Sequence, residues 1–305
     1  MGDPIYVEIT IDAPLDRLWT LTQVPQEHQR WDLRFSRIDY LPRESEDEPQ
    51  RFTYQTRLGL GVTIAGTGRS VGNREVNGER VSSLWFGSDD RRSLIREGSG
   101  YWKYIPTERS VRFVTLYDYR TRFGILGEYL DDLLFRPLMG WATAWSFDRL
   151  RLWLERGIDP GLSAARTVVN AIARLSLALC WAWQGFVPKL LTEHPREQAL
   201  VEAALPPWVR AHGLSLVAVA GLVEVALALA LLVFWSRRWP YLATLLVLVV
   251  VTLPALVSSP GLFVEPFNPT SLSVAMVGLS LCGLVACRHL PSARRCLRRK
   301  PEERR

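Results

Sequence analysis

The sequence predicts an α+β soluble domain followed by an all-α bundle of four transmembrane helices. Three observations carry this expectation. The 305-residue chain changes character near Arg156: before it, charges fall every few residues, and from Val168 to Cys287 Leu, Val and Ala dominate. The first half shows period-two alternation broken by turn-forming pairs, the signature of strands. The second half holds apolar runs close to the roughly 20 residues needed to cross a bilayer. The expected layout is a soluble domain over 1–156, a linker over 157–166, a membrane domain over 167–288 and a basic tail over 289–305.

IYVEITI alternates from Ile5 to Ile11, with Ile5, Val7, Ile9 and Ile11 on one face. Asp12-Ala13-Pro14 then opens a helix, since proline suits the first helical position. Leu15, Leu18 and Trp19 form its apolar stripe. The strands expected next are FSRIDYL, RFTYQTRL, VTIAGTGRS, VSSLWFGS, SLIREGS, YWKYI and SVRFVTLYDY. Turn-formers separate them at 46–49, Gly72-Asn73, Asn77-Gly78, Asp89-Asp90 and Pro106-Thr107. Asn-Gly is the strongest of these hairpin signals. GLGVTIAGTG, from Gly59 to Gly68, has neither the P-loop nor the dinucleotide spacing. It reads as a strand whose small residues face a crowded side.

A helix from about Leu126 to Glu155 closes the domain, with Pro137 expected to kink it. Its Leu133, Leu134, Leu138, Met139, Trp141, Trp145, Phe147 and Leu150 cover more than one stripe. Such a helix either fills a core or lines a cavity. The candidate lining of a hydrophobic pocket is Tyr54, Trp85, Tyr101, Tyr104, Phe113, Tyr117, Leu134, Leu138, Trp141 and Trp145. Plain core packing accounts for the same residues. Asp32 and Arg34, beside Trp31, suit either a pocket or a surface ion pair.

Four spans follow: Val168–Leu191, Gly213–Trp235, Trp239–Val257 and Ser271–Cys287. The first is the most polar, and Arg174 and Lys189 are expected to snorkel to opposite interfaces. Ser236-Arg237-Arg238 and the tail are the basic flanks, which places both termini in the cytoplasm of a multi-pass cell-membrane protein. The opening MGDPIYVEIT has no signal-peptide pattern, in keeping with that orientation. From Arg288 onward eight Lys/Arg face two Glu, so the tail carries the whole formal charge of +6. That suits anionic headgroups. No aromatics interleave with the tail's basic residues, which argues against nucleic acid as a partner.

Glu224 is the one ionisable residue in GLVEVALALALL. Ala220, Gly221 and Ala228 share its helical face, and small residues let a neighbouring helix approach. Glu224 should therefore point into the bundle, near Gln184, Trp181 or Trp183, and Ser280. It should also be neutral. It either packs helices or holds a ligand or proton. The candidate bundle site is Gln184, Lys189, Glu193, His194, Glu224 and Asn268. A solvated helix end accounts equally for Lys189, Glu193 and His194, and a helix cap for Asn268. The four cysteines and four histidines make no disulfide framework and no metal pattern.

The first half resembles the START-like (SRPBCC, polyketide-cyclase-like) superfamily. The residues that carry this are ITIDAPLDRLWTL, RWDLRFSRI and FRPLMGWATAWSFDRLRLWLE. The resemblance implies a helix-grip fold, a curved sheet around the last helix, with a hydrophobic ligand in the gap. The second half resembles the DoxX-like family through WQGFVPKLLTEHPRE, GLVEVALAL and EPFNPTSLS. It implies a four-helix membrane bundle, and some members are linked to quinone-dependent oxidation. Quinone enters only by this resemblance, because no haem, flavin or iron–sulfur spacing is present. The expected function is a membrane-anchored module that holds a lipid-like molecule beside the bilayer, rather than an enzyme. The alternatives are a subunit of a quinone-linked oxidoreductase and a scaffold for membrane-protein partners or a second copy of itself.

Overall fold

The computed structural model describes residues 2–45, 48–59, 61–204, 213–264, 266 and 268–301. The expected turn at 46–49, the loop reaching His212, Glu265 and the end of the tail fall wholly or partly outside the described residues. The chain divides into two compact units, Met1–Ser163 with Pro291–Arg305, and Ala164–Leu290.

The first unit is built on a seven-stranded sheet. Its strands are β1 (Ile5–Ile11), β2 (Arg37–Tyr40), β3 (Arg51–Gly59), β4 (Val62–Val76), β5 (Glu79–Gly87), β6 (Ile95–Pro106) and β7 (Val111–Thr121). They lie in the order β1-β7-β6-β5-β4-β3-β2, every neighbouring pair antiparallel. Helices α1 (Leu15–Gln23) and α2 (Pro25–Trp31) sit between β1 and β2. Asn77 (φ 54°) and Gly78 (φ 77°) make the turn from β4 to β5, as the dipeptide predicts. The two strands expected over SLIREGS and YWKYI are one, β6, because the backbone pairs continuously with β7 through Gly98 and Gly100. Gly66 and Gly68 sit under Tyr54 and Phe52 of the next strand; a Cβ on either would lie within 2.3 Å of a ring carbon. The sheet curves there because side chains on one strand occupy the room left by glycine on its neighbour.

Three helical pieces close the unit: α3 (Gly124–Leu130), a π-turn at Asp131–Phe135 and α4 (Arg136–Arg156). The π-turn sits where Pro137 has no N–H to give to the preceding turn. Ile5, Val7, Ile9 and Ile11 pack with Trp31, Trp102, Phe113, Trp145, Phe147 and Leu150. Phe113 stacks on Phe147 with ring centres 4.4 Å apart. The tail joins this core. Ala293 and Cys296 are buried in it, and Leu297 exchanges two 2.9 Å backbone hydrogen bonds with Glu8 of β1. Pro291–Leu297 therefore covers the free edge of β1, a contact that its charge pattern does not announce.

The second unit holds α5 (Pro160–Gly185) with its π-turned end Phe186–Leu191, and α6 (Pro195–Ala204). It also holds α7 (Gly213–Val233), α8 (Trp239–Ser258) and α9 (Pro269–Ala286). Among the described residues four helices are long and apolar enough to cross a membrane: Pro160–Leu191, Ser215–Val233, Trp239–Ser258 and Pro269–Ala286. The linker expected over 157–166 is helical from Pro160, leaving Gly157–Asp159 between α4 and α5. Proline at a first helical position explains the early start. Arg174 does not snorkel. It is fully buried, its Nη1 donating to Leu231 O at 2.7 Å, its Nη2 to Arg237 O and its Nε to Asn170. The carbonyls at the end of α7 attract it because they carry the negative end of that helix.

Burial and nearby Asp148 push the Cys296 thiol up to about 12. With Cys180, Cys282 and Cys287 changed to Ala, alkylation at pH 8 should be slow in the native protein. It should become rapid in denaturant, and a rate equal in both states would show that the tail is not docked.

Candidate functional site

The candidate site of the first unit is a cavity of about 600 Å³. Tyr54, Leu84, Phe86, Tyr101 and Tyr117 line it from the sheet, His28, Arg34, Phe35 and Ile38 from the α2–β2 segment, and Phe135 and Met139 from the closing helix. Alternation along β5 sends Leu84 and Phe86 inward and leaves Trp85 on the opposite face, beneath Arg69.

Of the ten residues expected to line a pocket, Tyr54, Tyr101 and Tyr117 do so. Tyr104, Phe113 and Trp145 are buried in the core instead. Tyr104 is tied there by bonds to Thr22 at 2.7 Å and Gln23 at 3.0 Å. Leu134, Leu138 and Trp141 are exposed, because the π-turn and Pro137 rotate the start of α4 so that Phe135 and Met139 face in.

His28 was not expected in the lining and Arg34 was expected in either a pocket or a surface ion pair; with Asp32 they form the cavity's polar end. Asp32 is 1% exposed and accepts four hydrogen bonds. Arg34 N (3.0 Å) and Nε (2.9 Å) donate to Oδ1, and Arg34 Nη2 (2.6 Å) and His28 Nε2 (3.1 Å) donate to Oδ2. Burial alone would raise the Asp32 carboxyl; the Arg34 charge and the bonds from His28 and Arg34 overcome it and hold the group well below the carboxylate range. Burial lowers the His28 imidazole, which is therefore neutral at physiological pH. The segment is fixed from α4. Ser146 Oγ accepts from Leu33 N at 2.8 Å, and the Arg149 guanidinium donates to the carbonyls of Arg30, Trp31 and Pro160. Burial brings Arg149 down to about 10. A residue pair two apart, Asp32 and Arg34 around a helix end, was the available signal.

In the second unit Gly185 of α5 and Gly221 of α7 meet backbone to backbone. A Cβ on Gly185 would lie 2.6 Å from Gly221 O, and one on Gly221 2.8 Å from Gly185 O. This crossing brings Lys189 to Glu224, Nζ to Oε2, at 3.0 Å. Lys189 Nζ also lies 3.3 Å from Glu197 Oε2 of α6 and donates to Gln184 O at 3.1 Å. Pro188 has no N–H for that carbonyl one turn back, so the ammonium takes the position a backbone donor would hold. Glu224 is thus buried opposite a cation; of the neighbours expected, Gln184 shares that ammonium through its carbonyl and the others lie elsewhere. Trp181 donates to Thr244 at 3.2 Å, Trp183 is exposed and Ser280 bonds Met276 O. Glu193 and His194 are exposed beyond the π-turn, and Asn268 Oδ1 caps α9 by accepting from Ser271 N at 3.1 Å. Glu197, eight residues past Lys189, has no helical periodicity to flag it. Among the described residues no group of His, Cys, Asp and Glu could hold a metal ion.

An antiparallel sheet with two short helices after its first strand and a long helix after its last is the helix-grip arrangement. The first unit has that arrangement, and among the described residues four apolar helices follow it. Residues 178–281 match the DoxX-like family. The membrane protein YndG of Bacillus subtilis (strain 168), described as uncharacterized, is 51% identical over 185 residues, 60% of this chain and 69% of that protein. The chain belongs to the family of that membrane protein, and its C-terminal half is DoxX-like. Among solved structures, a STAR-related lipid transfer protein from Xanthomonas axonopodis is similar at 13% identity, with a TM-score of 0.38, covering 49% of this chain and 84% of that one. A START superfamily protein from Mycobacterium smegmatis is similar at 11% identity and a TM-score of 0.38, covering 52% of this chain and all of that one (100%).

Two outcomes follow. Glu224→Gln leaves a buried ammonium short of one counter-charge and should cost about 3 kcal/mol. Lys189→Met with Glu224→Met should cost less than the two single changes added together, as read by thermal unfolding in detergent. Asp32→Asn should cost a similar amount, about 3 kcal/mol, at pH 7. A depressed carboxyl contributes above its unfolded pKa and loses that contribution as pH falls toward its folded one. The gap between this variant and the unmodified protein should therefore close as pH drops below about 4, measured by urea unfolding between pH 7 and pH 2.

Proposed function

We propose that this chain is a membrane-anchored binding protein whose START-like domain holds a hydrophobic small molecule beside a DoxX-like bundle. The cavity of about 600 Å³ carries this reading. Its volume lies in the range of sites for drug-sized and lipid-sized ligands, and aromatic and aliphatic walls with a few fixed polar groups are the usual lining of such sites. The same chain carries apolar helices long enough to cross a bilayer, a natural source of hydrophobic ligands. In this reading the chain lies in the cell membrane with both termini in the cytoplasm, on the strength of Ser236-Arg237-Arg238 and the basic tail.

The Lys189–Glu224 pair fits a lock between helices. The ammonium donates to Gln184 O and Glu224 and lies 3.3 Å from the Glu197 carboxylate, and the helices around it are in backbone contact at Gly185 and Gly221.

Solvent extraction of the purified full-length protein, followed by mass spectrometry, should recover a stoichiometric hydrophobic molecule. Leu84→Trp places an indole in the cavity. It should abolish recovery while leaving the melting temperature within a few degrees. Equal recovery from both proteins would place the molecule elsewhere, and no recovery from either would sink the reading.

A further inference from the structure

We propose that the cavity takes an amphiphilic monoanion, an apolar body ending in a carboxylate, and that Arg34 binds that end. This rests on the ligand-holding reading above and names the ligand class. The first observation is the sign of the lining. Arg34, Arg92 and His28 reach the cavity surface, and no Asp or Glu does among the described residues. The carboxylates paired with two of these groups lie elsewhere: Asp32 behind Arg34, and Asp90, bonded to Arg92, outside the lining.

The second is the state of the buried charges. One acid, Asp32, lies in the field of two guanidiniums, Arg34 and Arg149. Asp159 also acts on Arg149, but it is half exposed and bonded to Arg30. Arg34 lines the cavity and Arg149 does not, so Arg34 shares its one buried counter-charge with a second guanidinium, and an anion at the cavity end would add another.

The third is a proton count. Asp32 engages Nε and Nη2 of Arg34 and so fixes the plane of the guanidinium. The guanidinium carbon stands 5.4 Å from the centre of the Tyr117 ring. Thr143 gives its one hydroxyl proton to Met139 O at 2.8 Å, so the 2.9 Å contact with Tyr117 is donated by Tyr117. That leaves the Tyr117 oxygen an acceptor, and Arg34 is the side chain that donates toward it, so Asp32 and Tyr117 together engage only part of the guanidinium. His28 is neutral and gives Nε2–H to Asp32. At this end, then, Arg34 is the donor with protons to offer, and it offers a charge with them. A carboxylate matches such a fork, whereas an ester or alcohol of the same body forgoes the ionic part of the bond.

The test uses the full-length protein in micelles doped with equal mole fractions of oleate or methyl oleate, with occupancy counted by native mass spectrometry. Oleate occupancy should correspond to at least about tenfold tighter binding than the ester, as expected for a hydrogen bond to a charged group. Asp32→Asn with Arg34→Met removes the pair together and leaves Arg149 with Asp159. It should bind oleate no better than it binds the ester. Arg34→Lys keeps the charge, loses the fork, and should fall between; it serves if the double variant does not fold. Equal binding of oleate and ester by the unmodified protein would overturn the proposal and leave the ligand-holding reading intact. A full oleate preference surviving in a folded variant would overturn it too. Binding of neither probe, with nothing recovered by extraction, would remove the reading on which it rests.

Discussion

Asp32 is out of reach of water, and a carboxylate in that position must be met by donors from the protein. Four hydrogen bonds from Arg34 and His28 meet it. They also bend the chain between α2 and β2 so that both donors face the cavity. The segment would not hold that shape alone. Ser146 and Arg149 of α4 bind its backbone from beneath, and those two residues are buried because α4 fills the curve of the sheet. The shape of the sheet, the position of the last helix and the polar end of the cavity are thus one arrangement. Loss of the Asp32 pairing would be felt through all of it.

The bundle meets the same constraint with a different device. Pro188 frees a carbonyl in a helix that cannot rely on water, and Lys189 folds back to it. The glycine contact between α5 and α7 then sets the depth at which Glu224 arrives. Arg174 solves its own problem on helix-end carbonyls, with the Tyr241 ring 4.6 Å from its guanidinium carbon. Lys189, Glu224 and Arg174 are thereby tied to neighbouring helices, so these charges fix packing.

The tail shows how composition can mislead about location. Its charge suggests a segment lying on anionic headgroups. Within it, Ser292-Ala293 and Cys296-Leu297 are short, weakly polar steps that complete the edge of β1 and the floor of the core. The basic residues flank these steps and leave them free to pack.

The sequence by itself determined most of the antiparallel strands, although β6 merges two of them and β4 runs on through the turn expected at Gly72-Asn73, and it determined the four apolar helices and the inward face of Glu224. These follow from short-range periodicity and from turn chemistry, both of which act over a few residues. Tertiary structure decided which aromatics line the cavity, because a π-turn ahead of Pro137 rotates Leu134, Leu138 and Trp141 outward and Met139 inward. It also decided the partner of Glu224. Lys189 is 35 residues away, and what joins them is a backbone contact between two glycines that no local pattern encodes. His28 and Arg34 were legible only as a helix end and a charged loop. Their role at the cavity depends on α4, more than a hundred residues further along the chain, because a buried charge is placed by whatever can reach it in space.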